Sequence, residues 1–266
     1  MPLTVGLWDL SFVDVVAAAL ERIGLGAKIV REKPESCARM LVQGEVDVAL
    51  VPTVSALLNA DHFDVFPAFA VASWNYPYAR LVLPRGLESL SSELAVPADA
   101  SQEAFVAGVV LQEHYGTRVI SVPVHESLPA ADVNRLEVGE PGKSFRVNSI
   151  DLGREWFELS NYPMVWGLFA SRRDNADPAV VRRFVDAAAV AENIRTEMAG
   201  GFCEPVAGFV ADDLRFRMDD LATASLTELA EYVFYYAGTD EPPALSFVSV
   251  AGASADGSED DETPLV

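Results

Sequence analysis

The sequence predicts an α/β protein of two doubly wound lobes. Three observations carry that reading. Residues 3–58 alternate strand-length apolar runs with helical spacing in the order β-α-β-α-β-α, which implies a parallel sheet. A second βαβ unit lies between Pro84 and about Ser149. The stretch Asp151–Arg172 then reads as a capped amphipathic helix followed by a buried strand, and it carries the chain back. With 266 residues, half of them hydrophobic, the chain can bury a large core in one big domain or two ordinary lobes.

In chain order, Leu3–Trp8 is an apolar run of strand length, and Phe12–Ile23 has apolar residues at helical spacing. Asp9 or Ser11 is placed to cap that helix. Ala27–Val30 is a second short strand. Pro34–Gln43 is a helix with proline in its first turn and Gly44 beyond its end. Val46–Val51 is a third strand closed by Pro52, and Thr53 can cap a helix over Val54–Leu58. In such sheets ligands bind at the carboxyl ends of the strands, which singles out the Trp8–Ser11 and Val51–Ser55 turns.

Trp74, Asn75 and Tyr76 interrupt two apolar runs within Phe69–Leu83, and Pro77 would break a sheet ladder, so the chain crosses between lobes here. Leu87–Ser92 is a polar connection. Leu94–Val96 is a strand, a helix opens near Ser101 and continues to His114, and Arg118–Val124 and Leu136–Val138 are further strands. Within the returning element, Leu152, Trp156 and Leu159 share one helix face, Asp151 is the N-cap, and Pro163 ends the pattern before the apolar run Met164–Ala170. Pro178–Ala199 is a long helix stopped at Gly200-Gly201, and Leu214–Ala237 is mostly helical, its Tyr232, Phe234, Tyr235 and Tyr236 serving as packing. The organisation expected is lobe 1 from 1–84 plus 172–250, lobe 2 from 85–171, and a disordered acidic tail over 251–266.

Composition narrows the partners. Forty acidic residues against 19 basic give a formal charge of −21, with lysine only at Lys28, Lys33 and Lys143. Such a field repels nucleic acid and anionic membrane, and it reads as a surface adapted to concentrated salt rather than as an activity. No run approaches the ~18 apolar residues of a membrane span. The N-terminus does not read as a signal peptide, and Cys37 and Cys203 read as two reduced thiols, so a cytoplasmic location is expected. Phosphate-cradling glycine loops, zinc spacings and nucleophile elbows are not found, and His62, His114 and His125 stand isolated. Neither a metal nor a cofactor is expected; any chemistry falls to hydrogen bonds, helix N-termini and carboxylates.

Two stretches resemble a known family. Asp151-Leu-Gly-Arg-Glu-Trp156 followed by Pro163-Met-Val165 and Ala170 resembles chorismate dehydratase of the futalosine route to menaquinone. Leu41-Val-Gln-Gly-Glu-Val-Asp-Val-Ala-Leu-Val-Pro52 is similar to a first-lobe signature shared by many proteins with the type II periplasmic-binding fold, that dehydratase among them. The resemblance covers most of residues 3–247 in order. It implies that fold, a small dicarboxylate substrate such as chorismate, and a cleft into which the helix at Ser101 points. The pocket departs from the family: Gln102, Glu103 and Ala104 follow Ser101 where a Ser-Arg-Thr-Ser-like run is usual, Leu10-Ser11-Phe12 replaces a Leu-Asn turn, Arg80 falls near a crossing-strand serine, and Val138-Gly139-Glu140 replaces Ile-Gly-Asp.

The cleft residues implied are Ser11, Thr53, Ser55, Trp74, Asn75, Arg80, Ser101 and Gln102 for binding, with Glu103 as base, Arg80 as anion clamp and Glu140 as acid. An equal alternative is that Arg80 and Glu103 pair across the cleft as a structural bridge in a protein that has lost or changed the activity. Two other functions stand beside dehydration. One is the sister activity that cleaves cyclic dehypoxanthinyl futalosine, ranked lower because its Ser-Pro-Cys-Pro-Asn-Asp-Thr-like start is absent from Val5–Asp14. The other is a non-catalytic carboxylate-binding or sensing protein on the same fold. The oligomeric state is not legible.

Overall fold

The computed structural model describes residues 2–90, 92–124, 133–142 and 149–249. His125, Lys143 and the acidic tail over 251–266 lie outside the described residues. The chain runs β1 (Thr4–Trp8), α1 (Asp14–Arg22), β2 (Lys28–Glu32), α2 (Pro34–Gln43), β3 (Val48–Pro52), α3 (Thr53–Leu58), β4 (Phe63–Ser73) and β5 (Ala79–Val82). It continues with β6 (Glu93–Pro97), α4 (Ser101–Glu113), β7 (Ile120–Val124), β8 (Arg135–Val138), β9 (Ser149–Asp151) and α5 (Leu152–Ser160). Finally come β10 (Met164–Arg172), α6 (Pro178–Ala199), the short turn α7 (Val206–Gly208), β11 (Leu214–Arg217) and α8 (Asp220–Ala237).

Two sheets result, in the orders β11-β4-β10-β3-β1-β2 and β7-β6-β8-β5-β9. The chain passes between them twice, from β4 to β5 through Trp74–Tyr78 and from α5 to β10 through Asn161–Pro163, so β5 belongs with the second lobe and β10 with the first, where the bounds expected at 84 and 172 place them the other way. In the first sheet β1 pairs parallel with β2 and β3, as the alternation of strands and helices demands. The sheet is nevertheless mixed, because β10 runs antiparallel to both β3 and β4. A strand that re-enters a lobe from its neighbour has no crossover helix to set it parallel, so it lies down in the opposite sense. In the second sheet β6, α4 and β7 form the expected parallel unit.

Helix α6 packs across β4, while Ala222 and Leu226 of α8 cover the opposite face through Val65, Ala70, Ala72, Val165 and Leu168. Strands β3 and β10 are buried along nearly all their length, consistent with their uninterrupted apolar runs.

Several local expectations are corrected. Neither Asp9 nor Ser11 caps the first helix; Ser11 opens a 3-10 turn over Ser11–Val13 and its side chain is engaged elsewhere. Thr53 begins α3 without capping it, and its hydroxyl makes no hydrogen bond. Leu214–Arg217 is a strand rather than helix: buried Leu214 and Phe216 alternate with Arg215 and Arg217, a period of two. Asp219 then caps α8, accepting from Ala222 N–H at 2.9 Å. β4 begins at Phe63, six residues before the apolar run suggested. Pro67 and Ala68, with φ of 68° at Ala68, sit in a register break of that strand and hide its first half from the pattern. Of the α8 aromatics, Tyr232 packs edge-on against Trp156, while Tyr235 and Tyr236 are largely exposed and meet their α8 neighbours Phe234 and Tyr232 as ring partners.

Candidate active site at the seam between the lobes

The turns after β1 and β3, the start of α2 and the start of α4 meet where the lobes face each other, and three polar clusters cross the seam. In the first, Ser11 N–H donates to Glu140 Oε1 at 2.5 Å and Ser11 Oγ donates to Glu140 Oε2 at 2.9 Å. Tyr78 lies 2.8 Å from Ser11 Oγ, and because the serine proton is committed to Glu140, the tyrosine is the donor. Gly139, at φ of 129°, supplies the backbone turn that presents Glu140, and its N–H bonds the Tyr78 carbonyl at 2.9 Å.

The second cluster is built on Glu35 in the first turn of α2. One carboxylate oxygen accepts from Ser55 at 2.8 Å, and the other accepts from Ser101 across the seam. Beside it Lys33 pairs with Asp99 across the same seam. That contact holds the Asp99 carboxyl below the usual carboxylate range and raises the lysine.

The third cluster is buried. Gln102 Oε1 accepts the Val54 N–H at 3.0 Å and its Nε2 donates to the Trp166 carbonyl at 2.8 Å, so one side chain of α4 bonds both α3 and β10. Next to it Glu103 is only 5% exposed. Burial pushes its carboxyl up to about 7; the hydrogen bond from its own backbone N–H opposes that, and the negative charges of Glu35 and Asp99 add to it. Among the described residues no other side chain hydrogen-bonds Glu103. The Thr53 hydroxyl, fully buried, is likewise unpartnered.

Aromatic rings close the space behind these groups. Tyr76 stacks on Trp166 with centroids 3.8 Å apart, and Phe12 meets Tyr76, Tyr78 and Phe209 edge-on. Burial raises the Tyr76 hydroxyl well above its ordinary range, with the charge of Glu103 adding to the effect. The indole of Trp8 donates to the Leu50 carbonyl at 2.8 Å and lies against Gly167. The two crossings are tied to each other by Asp151, which accepts from Tyr76 N–H at 2.7 Å while capping α5 through Arg154 N–H at 3.0 Å.

Among the residues singled out in the sequence, Ser11 with Glu140, Ser55 with Ser101, and Thr53–Val54 with Gln102–Glu103 are brought together. Trp74 and Asn75 turn away: Trp74 packs edge-on with Phe157 at 5.1 Å, and Asn75 donates to Asp213 at 2.8 Å. Gln102 is a bond between lobes. Arg80 lies opposite Glu137 and Asp151 in the second sheet; its guanidinium reaches Asp151 at 3.6 Å and Ser149 at 3.1 Å. The alternative in which Arg80 and Glu103 pair across the cleft is therefore not met, and Arg80 instead forms an ion pair within the lobe 2 sheet. Glu35, Lys33, Asp99 and Tyr78 escaped the sequence reading. Only the Tyr76-Pro77-Tyr78 run in the crossing offered a signal, since long-range pairs leave no spacing behind. Among the described residues no cluster of three metal-ligating side chains forms, and no helix is long and apolar enough to cross a membrane.

Two mixed α/β lobes joined by a double crossing, with polar groups converging on the seam, define a protein of the periplasmic-binding fold. Solved structures agree. The alkanesulfonate-binding protein SsuA from Xanthomonas axonopodis pv. citri, bound to MOPS, has a TM-score of 0.64 at 13% identity, over 93% of this chain and 98% of that one. The Candida albicans CA3427 gene product, described as exhibiting the generic periplasmic binding protein structural fold, has a TM-score of 0.63 at 11% identity, over 91% of this chain and 92% of that one. Protein AF1704 from Archaeoglobus fulgidus has a TM-score of 0.63 at 17% identity, over 90% and 98%. The profile of the family described as menaquinone biosynthesis matches residues 2–234, and the chain belongs to that family.

Proposed function

We propose that this protein is the chorismate dehydratase of the menaquinone route, acting in the cytoplasm to convert chorismate to 3-[(1-carboxyvinyl)oxy]benzoate and water. Membership of the menaquinone-biosynthesis family supports a role in that pathway. The observation that carries the finer reading is Glu103: a buried carboxyl between lobes, held near neutrality, without another side chain to bond. The reaction removes a ring proton and the neighbouring hydroxyl, and aromatisation drives it. A carboxylate that titrates near 7 is well matched to taking such a proton. The proton that Glu103 takes leaves with the hydroxyl as water; the Tyr78 and Ser11 protons are already committed along the chain to Glu140. Arg80, already engaged by Asp151, is set aside as the substrate clamp, and the unpartnered Thr53 hydroxyl is the donor for a substrate oxygen.

A second reading is a non-catalytic carboxylate-binding protein on the same fold; the acidic Glu35, Asp99 and Glu140 around the seam oppose entry of a dianion and count against chorismate under either reading. Incubating folded protein with chorismate in concentrated salt, and following the product by chromatography and NMR, separates the two. Turnover that is lost in Glu103→Gln supports dehydration. Tight binding without turnover selects the binding protein, and neither in folded protein removes chorismate as the ligand.

A further inference from the structure

Glu103 raises a question that its own burial does not answer: what keeps the first turn of α4 pressed into lobe 1 strongly enough to hold a carboxyl out of water? Helix α4 belongs to lobe 2, and Ser101, the residue before Gln102, is exposed. Gln102 is 2% exposed, and both ends of its amide are used on lobe 1 backbone. Its oxygen takes the Val54 N–H, one of the first-turn donors of α3 that no side-chain cap satisfies. Its nitrogen takes the carbonyl of Trp166, whose ring stacks on Tyr76 and whose indole N–H donates to Ser73 at 2.9 Å. Thr53, whose buried hydroxyl has no partner among the described residues, and Glu103, whose carboxyl bonds its own backbone N–H, are the chain neighbours of the two residues that this bond joins.

We propose that Gln102 is a positioning residue: its amide bonds α4 to α3 and β10 and so fixes the Glu103 carboxyl in the dry seam beside the start of α3. Gln102 is buried, and each end of its amide is tied to lobe 1 backbone, so it acts on the site by holding its neighbours in place. The free Thr53 hydroxyl and the Glu103 carboxyl are the groups it aligns. This rests on the dehydratase reading only for the reaction served, since the placement of Glu103 is measurable without substrate.

The test is the titration of Glu103, read as the protonated-carboxyl infrared band that disappears in Glu103→Gln, in substrate-free protein at high salt. The charged and titratable groups that act on it are Glu35 of α2, Asp99 before α4 with its partner Lys33, and Tyr76 of the crossing. The unaltered protein should titrate near 7. Gln102→Leu, which removes both bonds, should move the midpoint down by about one pH unit or more toward the ordinary 4.5, as the loosened turn admits water. Gln102→Glu, which keeps the Val54 bond, loses the Trp166 bond and adds a neighbouring carboxylate, should move the midpoint up instead. Opposite displacements support the proposal. A midpoint unchanged in both variants, or displaced the same way in both, overturns it. Where chorismate is turned over, the acid limb of the kcat profile should follow the infrared midpoint while KM changes little. An enzyme whose limb stays fixed as the midpoint moves overturns the positioning role. If the unaltered protein does not turn over chorismate, yet the infrared midpoints separate as stated, the dehydratase reading falls and the placement of Glu103 by Gln102 stands.

Discussion

Replacing Glu103 with glutamine should stabilise the protein, and the gain should depend on pH. The carboxyl has an ordinary value of 4.5 in the unfolded chain and about 7 in the folded one. The folded state therefore holds the proton more tightly, so stability is full below the unfolded value and is lost as pH rises through the folded value. At about 1.4 kcal/mol per pH unit the full cost of ionising Glu103 in the seam is about 3 kcal/mol. At pH 8 nearly all of that cost is present, whereas at pH 5 it is under about 1 kcal/mol. Glutamine keeps the shape and carries no charge, so Glu103→Gln should melt roughly 6–12 °C higher at pH 8 and nearly level at pH 5. Calorimetry of both proteins in the same concentrated KCl at the two pH values makes the measurement. The same variant should lose turnover, since a residue kept at such a cost to stability is kept for what it does. An equal melting difference at both pH values, or a loss of stability at pH 8, would refute the assignment of a dry, near-neutral carboxyl.

Melting temperature should climb with KCl from ~0.15 M to 1 M, where the Debye length falls from ~8 to ~3 Å and the repulsion of a −21 protein is screened; a flat series would remove the salt-adapted reading. Asp151→Ala should cost roughly 3 kcal/mol in denaturant unfolding, because it uncaps α5, strands the Tyr76 N–H and leaves Arg80 without that carboxylate; a cost below ~1 kcal/mol would mean the crossings are not tied there. Gly167→Ala would place a methyl 2.6 Å from the Trp8 ring and should cost about 1–3 kcal/mol, with a change in near-ultraviolet circular dichroism as the indole shifts.

The elements most readable in the sequence are those whose neighbours are close in the chain. Pro34 opens α2 and Gly44, at φ of 76°, closes it as expected, and Asp151 caps α5 through Arg154. Proline, glycine and a capping carboxylate act within a turn of themselves, so their positions are local facts. β11 was lost inside a helical stretch because four residues of period two are too few to stand out beside the eighteen of α8.

The sequence alone determined the fold and the family, since apolar period, helix punctuation and two stretches of family wording survive in a single strand of text. It also singled out Ser11, Ser55, Ser101, Gln102, Glu103 and Glu140, which the fold brings to the seam between the lobes. What each does was decided only by tertiary structure. Glu140 meets Ser11 across 129 residues, Arg80 meets Asp151 rather than Glu103, and Gln102 joins Val54 to Trp166. A hydrogen bond depends on distance and direction in space, and a pKa depends on how much water remains. Neither quantity is a property of chain spacing, so Glu103 becomes a buried carboxyl with a raised pKa only where the two lobes meet around it.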